Sequence, residues 1–325
     1  MRVLLVSEQY RTSRSGVGTY ARGLTTGLAS AGHDVTLAVS RAETPDDADF
    51  PVVPIETEPG NLTALNARRR GRALRTAILP VAGDHDLVHF LDARWAGPLG
   101  KDLADVRTVG TVHDTYALDW LDYGRLRRRY ADRAARSLHY AWLRRREAAG
   151  YRRLTRLLAN SDFVADALQA SYGVAPDRME VVRLGLAPKA SEEEVPLEGD
   201  PAVLFVGANF TRKGLSELIE AAAFVTTKAT GLRLHVVGSD GRADRFRRLA
   251  ERRGIGDAVT FHGPQPPDRV LGMMVGAGIY AMPSHSESWG LVYLEAMRAG
   301  IPVIATARGG LAEVVTTGTE AVLVS

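Results

Sequence analysis

Residues 3–40 read VLLVSEQYRTSRSGVGTYARGLTTGLASAGHDVTLAVS. The run VLLV at 3–6 has the length and branching of a buried parallel strand. From Tyr20 to Gly32 the apolar residues recur at helical spacing and the pattern stops on glycine, and DVTLAVS at 34–40 is strand-like again. A strand, a helix and a strand in this order open an alternating α/β domain built on a parallel sheet. The alternation continues through DLVHFL at 86–91, RTVGTVHD at 107–114, a helical stretch from 126 to 150, LTRLLANS at 154–161 and MEVVRLG at 179–185.

The character then changes. APKASEEEVPLEGD, 187–200, has two prolines, an acidic run and no periodicity, which reads as a linker. A second set of strands follows in AVLFVG at 202–207, LRLHVVG at 232–238, AVTFHG at 258–263, GIYAMPS at 278–284, PVIAT at 302–306 and AVLVS at 321–325. The expected organisation is an N-terminal Rossmann-like domain over 1–186, a linker over 187–200 and a C-terminal Rossmann-like domain over 201–325. Such domains bind ligands at the carboxyl ends of their strands. A parallel strand is normally followed by a covering helix, so C-terminal helices are expected to be missing or shortened.

Composition narrows the class. The 325 residues suit two domains of about 150 residues each. Apolar residues make up 45% and charged residues 24%, and no apolar run approaches the roughly 20 residues of a membrane span. The apolar run near the N-terminus is too short for a secretory signal, and the absence of cysteine excludes disulfides and thiol catalysis. A cytoplasmic protein is expected. The formal charge is +3, and only Lys101, Lys189, Lys213 and Lys228 break the arginine bias of the cations.

Three loops are candidates to meet a phosphate. In SRSGVGTYA, 13–21, Gly16-x-Gly18-x-x-Ala21 formally fits a dinucleotide fingerprint. Gly16 lies too far beyond the first strand, however, and Asp34 begins the second strand instead of ending it, so a nicotinamide or flavin is not favoured. What remains is a glycine loop before a helix N-terminus, where backbone can approach an anion; a plain loop capped by Thr19 is the other reading. In FVGANFTRKGL, 205–215, Arg212 and Lys213 stand at a helix start against its dipole, which fits an anionic ligand or else a solvated pair. In PSHSESWGLVYLEAMRAG, 283–300, Glu287 falls on a loop and Glu295 inside the following helix, with the N–H groups of Trp289, Gly290 and Leu291 nearby. One carboxylate there can accept two hydrogen bonds from a vicinal diol. Asp84-His85-Asp86 has the form of a metal-binding DxD but precedes a strand, so it reads as a turn.

Taken together, the glutamates eight positions apart in SESWGLVYLEAMRAGIPVIAT, the KG of RKGL, GVGTY, GHDVTL, TVHD at 111–114 and RGGLAEVV at 308–315 resemble the retaining glycosyltransferases of family 4. The resemblance spans nearly the whole chain. It implies the GT-B fold, with two Rossmann-like domains facing across a cleft, and a metal-independent transfer from a UDP- or GDP-type sugar with no further cofactor. Lys213, with Arg212, then matches the basic loop that stabilises the leaving diphosphate, Glu295 the residue that binds the ribose, and Glu287 the residue beside the donor sugar. Main chain from Ser288 through Trp289 and Gly290 to Leu291 would bind sugar and phosphate. His113 matches the cleft histidine, and Gly16 and Gly18 would approach the diphosphate and acceptor.

This chain departs from the family pattern at Ala208, where many members have arginine, and at Ser288 and Trp289, where glycine and phenylalanine are more usual. A nucleotide-sugar epimerase or phosphorylase on the same fold, and a non-catalytic binding protein, stay open beside the transferase. The acceptor would be a glycan, a glycolipid or a small molecule. The Arg-rich region 125–156, with Tyr130, Tyr140 and Trp142 interleaved, can lie on an anionic membrane surface, on the inner face of the membrane, or form a solvated face. No nucleic-acid recognition motif accompanies that charge.

Overall fold

A computed structural model describes residues 1–11, 16–57, 64–118, 133–186, 193–228, 231–315 and 321–324. The chain forms two compact units, Met1–Ala187 and Pro188–Ser325.

Unit 1 is built on a seven-stranded sheet in the order β3-β2-β1-β4-β5-β6-β7. The strands are β1 (Arg2–Ser7), β2 (Asp34–Ser40), β3 (Val52–Ile55), β4 (Leu87–Phe90), β5 (Thr108–Val112), β6 (Arg156–Ala159) and β7 (Met179–Val181). Every neighbouring pair is parallel. The helices are α1 (Gly16–Ser30), α2 (Ala64–Ala82), α3 (Arg133–Tyr151) and α4 (Asp162–Tyr172), with a 3-10 segment at Ala93–Leu103. Alternation along β1 divides its side chains between two cores. Leu4 and Val6 pack with Leu74 and Ile78 of α2, while Val3 and Leu5 pack with Ala21 of α1. Removing these side chains from water supplies the main drive to close both layers on the sheet. Edge strand β3 escapes the sequence reading because Pro54 interrupts its pattern, which an edge position tolerates.

Unit 2 carries a six-stranded sheet in the order β10-β9-β8-β11-β12-β13, also parallel throughout. Its strands are β8 (Ala202–Val206), β9 (Arg233–Val237), β10 (Val259–Gly263), β11 (Ile279–Met282), β12 (Val303–Thr306) and β13 (Ala321–Val324). They alternate with α5 (Leu215–Thr226), α6 (Ala243–Arg252), α7 (Pro267–Val275) and α8 (Leu291–Arg298). A perpendicular aromatic relay of Phe205, Phe210 and Phe246 ties β8 to α6, with ring centroids 5.8 and 5.5 Å apart. Residues 193–200, in the stretch read as a linker, are tied to this unit: Val195 N–H donates to the Gly272 carbonyl and Asp200 N–H to that of Gly231.

Candidate functional site

In unit 2 the loop after β11 is held from three directions. The Ser284 hydroxyl donates to the Ser286 carbonyl at 2.9 Å, and the His285 N–H donates to the Arg212 carbonyl at 2.8 Å. The Thr306 hydroxyl donates to the Ser284 carbonyl, and Gly310 N–H donates to the Glu287 carbonyl at 2.8 Å. Two glycines permit this closure. Gly214 at φ 75° and Gly309 at φ 65° sit where a Cβ would run into the carbonyls of Pro283 and Glu287.

This packing delivers the charged side chains. Lys213 Nζ donates to Glu287 Oε2, and both side chains are only 12% exposed. The charges of Arg212 and Glu287 act on the Tyr293 phenol, while those of Glu287 and Glu295 act on Tyr280. Tyr280 and Tyr293 stand edge to face at 5.6 Å, and burial raises both phenols above their ordinary range. Arg212, Glu287 and Glu295 therefore act on one tyrosine pair, and Lys213 joins them through Glu287. Ser288 and Trp289 are buried. Gly290, at φ 87°, precedes the first helical residue of α8, Leu291. At the position of the family arginine, Ala208 is exposed; Asn209 beside it takes φ 55° and accepts the Lys213 N–H at 3.1 Å.

In unit 1 the chemistry collects beyond β4 and β5. The Leu91 carbonyl can only accept, so His113 Nε2 carries the hydrogen of their 2.7 Å bond and Nδ1 is left as an acceptor. Burial lowers the His113 pKa, the Asp92 carboxylate opposes that, and the Arg94 guanidinium adds to it. Arg94 grips Asp92 through Nε at 2.9 Å and Nη2 at 2.6 Å, the fork geometry of a strong ion pair. Tyr20, from the GVGTY stretch, stands edge to face with the His113 ring at 4.9 Å, and its hydroxyl lies 2.9 Å from Thr111 Oγ1. His89 Nε2 meets the same oxygen at 2.9 Å, and burial pushes its pKa down to about 4. Asn160 donates to the His113 carbonyl at 3.0 Å. Gly16 and Gly18 lie within the first turn of α1 instead of in a loop before it; Gly16 is exposed and Gly18 buried.

Several buried ionic groups were not singled out by sequence reasoning. Glu8 follows β1 and faces Arg70 Nη2 at 2.9 Å, yet burial outweighs that charge and pushes the Glu8 carboxyl up to about 8. Glu147 of α3 accepts the Tyr116 N–H at 3.0 Å and the Tyr172 hydroxyl, and burial raises it to about 7. Asp92 and Arg94 stand directly after the DLVHFL strand, and that position at a strand end was the available signal. Glu147 had none, because it sits inside an arginine-rich helix.

Asp84-His85-Asp86 is a turn. Asp84 N–H donates to the Val81 carbonyl, and the Asp86 carboxylate accepts the Arg2 N–H at 2.8 Å. Among the described residues no group of three or more metal-ligating side chains stands together, and no helix is long and apolar enough to cross a membrane. Of the basic region 125–156, residues 125–132 lie outside the described part. Arg144 and Arg146 lie over the rings of Tyr172 and Trp142, and Arg156 donates to the Asp177 carbonyl at 2.6 Å.

Two Rossmann-like units with these loops at the ends of their strands have the architecture of the GT-B class. The family model for Glycosyltransferase Family 4 matches residues 14–189, and that for Glycosyl transferases group 1 matches residues 188–325. A D-inositol 3-phosphate glycosyltransferase of Gordonia bronchialis is 31% identical over 95% of this chain and 72% of its own length. That of Nocardia farcinica is 37% identical over 52% of this chain and 41% of its own, so the chain spans less than half of that relative. The structure of Anabaena HepE in complex with UDP and glucose shares the fold, with a TM-score of 0.72 and 18% identity over 100% of this chain and 86% of that one. The chain belongs to glycosyltransferase family 4.

Proposed function

We propose that the chain transfers a sugar, with retention of anomeric configuration, from a nucleoside-diphosphate sugar to an acceptor hydroxyl. Unit 2 would hold the donor and unit 1 the acceptor. The observation that carries this reading is the Lys213–Glu287 pair beside Arg212, held over the end of β11. A diphosphate entering there would draw the Lys213 and Arg212 charges to itself and release Glu287 to face sugar hydroxyls. As the sugar bond breaks, negative charge grows on the leaving oxygen, and cations already in place stabilise it without reorganisation. Glu295 would accept the ribose hydroxyls, and main chain at 288–291 would bind sugar and phosphate.

Because Arg212 and Lys213 supply the countercharge, the proposed reaction runs without a metal ion. The leaving diphosphate itself would accept the acceptor's proton, leaving the protein to bind, orient and neutralise. His113, neutral and with Nδ1 as an acceptor, would receive a hydroxyl of the transferred sugar. HepE binds UDP and glucose, which supports a UDP-type donor. The relatives named for D-inositol 3-phosphate support a small phosphorylated polyol as acceptor, ahead of a glycan or glycolipid.

Calorimetry with UDP and GDP, followed by donor turnover with and without acceptor and with EDTA, tests the reading. Binding of one nucleotide, acceptor-dependent release of it and no effect of EDTA are expected. Failure to bind either nucleotide would sink it. Contact of the basic region 133–156 with an anionic membrane is a separate part of the proposal. Salt-sensitive sedimentation with anionic vesicles checks it, and no binding at low salt would remove it.

A further inference from the structure

Unit 1 has a cavity of about 270 Å³ between α2, the Ala93–Leu103 segment and α3. Its lining includes Arg70, Arg94, Arg146 and Arg153 and, among the described residues, no acidic one. The four arginines come from three separate stretches of sequence, so it is the fold that gathers them. Arg70 and Arg94 do not belong to the solvated face that an arginine-biased composition would produce, because the side chain of Arg70 is 6% exposed and that of Arg94 26%. Trp95 forms part of the wall, with the Arg70 guanidinium 5.0 Å from its ring centroid. Arg153 reaches across from the end of α3 to donate to the Gly97 carbonyl.

Four like charges around one small space repel, and the low dielectric of a part-buried site strengthens the repulsion. Asp92 offsets Arg94 through its forked pair. Glu8 offsets Arg70 less, because burial pushes its carboxyl up to about 8 and keeps it largely protonated near neutral pH. An anion held among the guanidiniums would relieve the repulsion through charge-assisted, forked hydrogen bonds. The cavity is many times the size that a single water requires. That space takes a phosphate with a small polar or ring-shaped body, and Trp95 offers such a body a flat wall.

We propose that this cavity is a phosphomonoester site, with the phosphate held by Arg70, Arg146 and Arg153 and the body of the ligand against Trp95. The proposal is independent of the donor loop in unit 2. The ligand can be a free phosphorylated metabolite or the phosphate of a lipid headgroup.

The test is calorimetry of the full chain at low salt, first with inorganic phosphate and then with glycerol 3-phosphate. The wild type should bind both. In Arg146→Gln/Arg153→Gln the dissociation constant should rise at least about tenfold, as expected when two charge-assisted contacts are lost. Lys213→Ala should leave it within about twofold. Should the double variant fold poorly, Arg153→Gln alone, at an exposed position, should still weaken binding severalfold. Trp95→Phe should abolish any change in tryptophan fluorescence on adding glycerol 3-phosphate. Vesicles carrying phosphatidic acid separate the two sources: their competition with glycerol 3-phosphate would assign a lipid headgroup, and its absence a soluble ligand. Unchanged phosphate binding in the arginine variants, or its loss in Lys213→Ala, would overturn the proposal.

Discussion

Lys213 Nζ donates to Glu287 Oε2 across 74 positions of sequence, each side chain only 12% exposed. The pair keeps a cation and a carboxylate satisfied in a place where neither could stand alone without a desolvation penalty. In the proposed reaction the donor diphosphate replaces Glu287 as the partner of Lys213. Lys213→Ala should therefore reduce transfer by about 10²–10³-fold, the usual effect of removing one preorganised charge-stabilising donor. Steady-state kinetics checks this, and a loss under tenfold would mean that Lys213 serves mainly to hold Glu287.

Glu295 and Glu287 should separate kinetically. Glu295, inside α8, would hold the ribose, so Glu295→Ala should raise the donor KM about tenfold or more with little change in kcat. Glu287→Gln should lower kcat and leave KM nearly alone, because its partner would be the reacting sugar. Identical changes in both parameters for both variants would contradict the division.

His113 should act as a neutral group, since burial lowers its pKa and Nε2 already donates to Leu91. For a histidine with a lowered pKa, the neutral form is complete above the ordinary value of 6.5 and is lost only as pH falls through the lower folded value. Transfer should therefore stay flat from about pH 6.5 upward as far as this residue governs it. His113→Ala should cut kcat by at least about tenfold while UDP affinity, read by calorimetry, stays within about twofold. A matching loss of UDP affinity would move His113 out of the proposed sugar-facing role.

Gly309 and Gly300 offer a paired test of the loop closure. Both have positive φ, but a Cβ at Gly309 would meet the Glu287 carbonyl, whereas one at Gly300 has nothing within 4 Å. Gly300→Ala should cost about 1 kcal/mol of backbone strain. Gly309→Ala should cost more, roughly 2–4 kcal/mol, and should also impair transfer by displacing Glu287. Thermal unfolding and kinetics on the two variants check the contrast.

Glu8 should make unit 1 less stable as pH rises. Its carboxyl is raised from 4.5 to about 8 in the folded protein, so the folded state binds the proton more tightly than the unfolded one. The associated stability is fully present below pH 4.5 and is lost as pH rises through about 8. At about 1.4 kcal/mol per pH unit the loss is roughly 5 kcal/mol at most. Glu8→Gln should flatten that decline, so urea unfolding at pH 5 and pH 9 should show a smaller difference in the variant than in the wild type.

The alternating pattern of VLLV, DVTLAVS and AVLFVG was legible because strands buried on both faces must be continuously apolar, and a parallel sheet forces a helix between them. The E-x7-E stretch and RKGL were legible as well, since their residues are close in sequence and their spacing alone identifies a loop and the helix after it. β3 was not, because an edge strand can carry Pro54 and so lose the pattern. The Lys213–Glu287 contact depends on Gly214 and Gly309 letting three loops close together, a matter of backbone conformation that no residue pattern states. Glu8 with Arg70 and the arginine-lined cavity likewise exist only after α2, α3 and the Ala93–Leu103 segment pack on one sheet. Periodicity and local spacing determined the elements and the identity of the charged loops. Which charges meet, and which are pushed from their ordinary pKa by burial, was decided by the tertiary structure, because pairing and desolvation depend on distance in space.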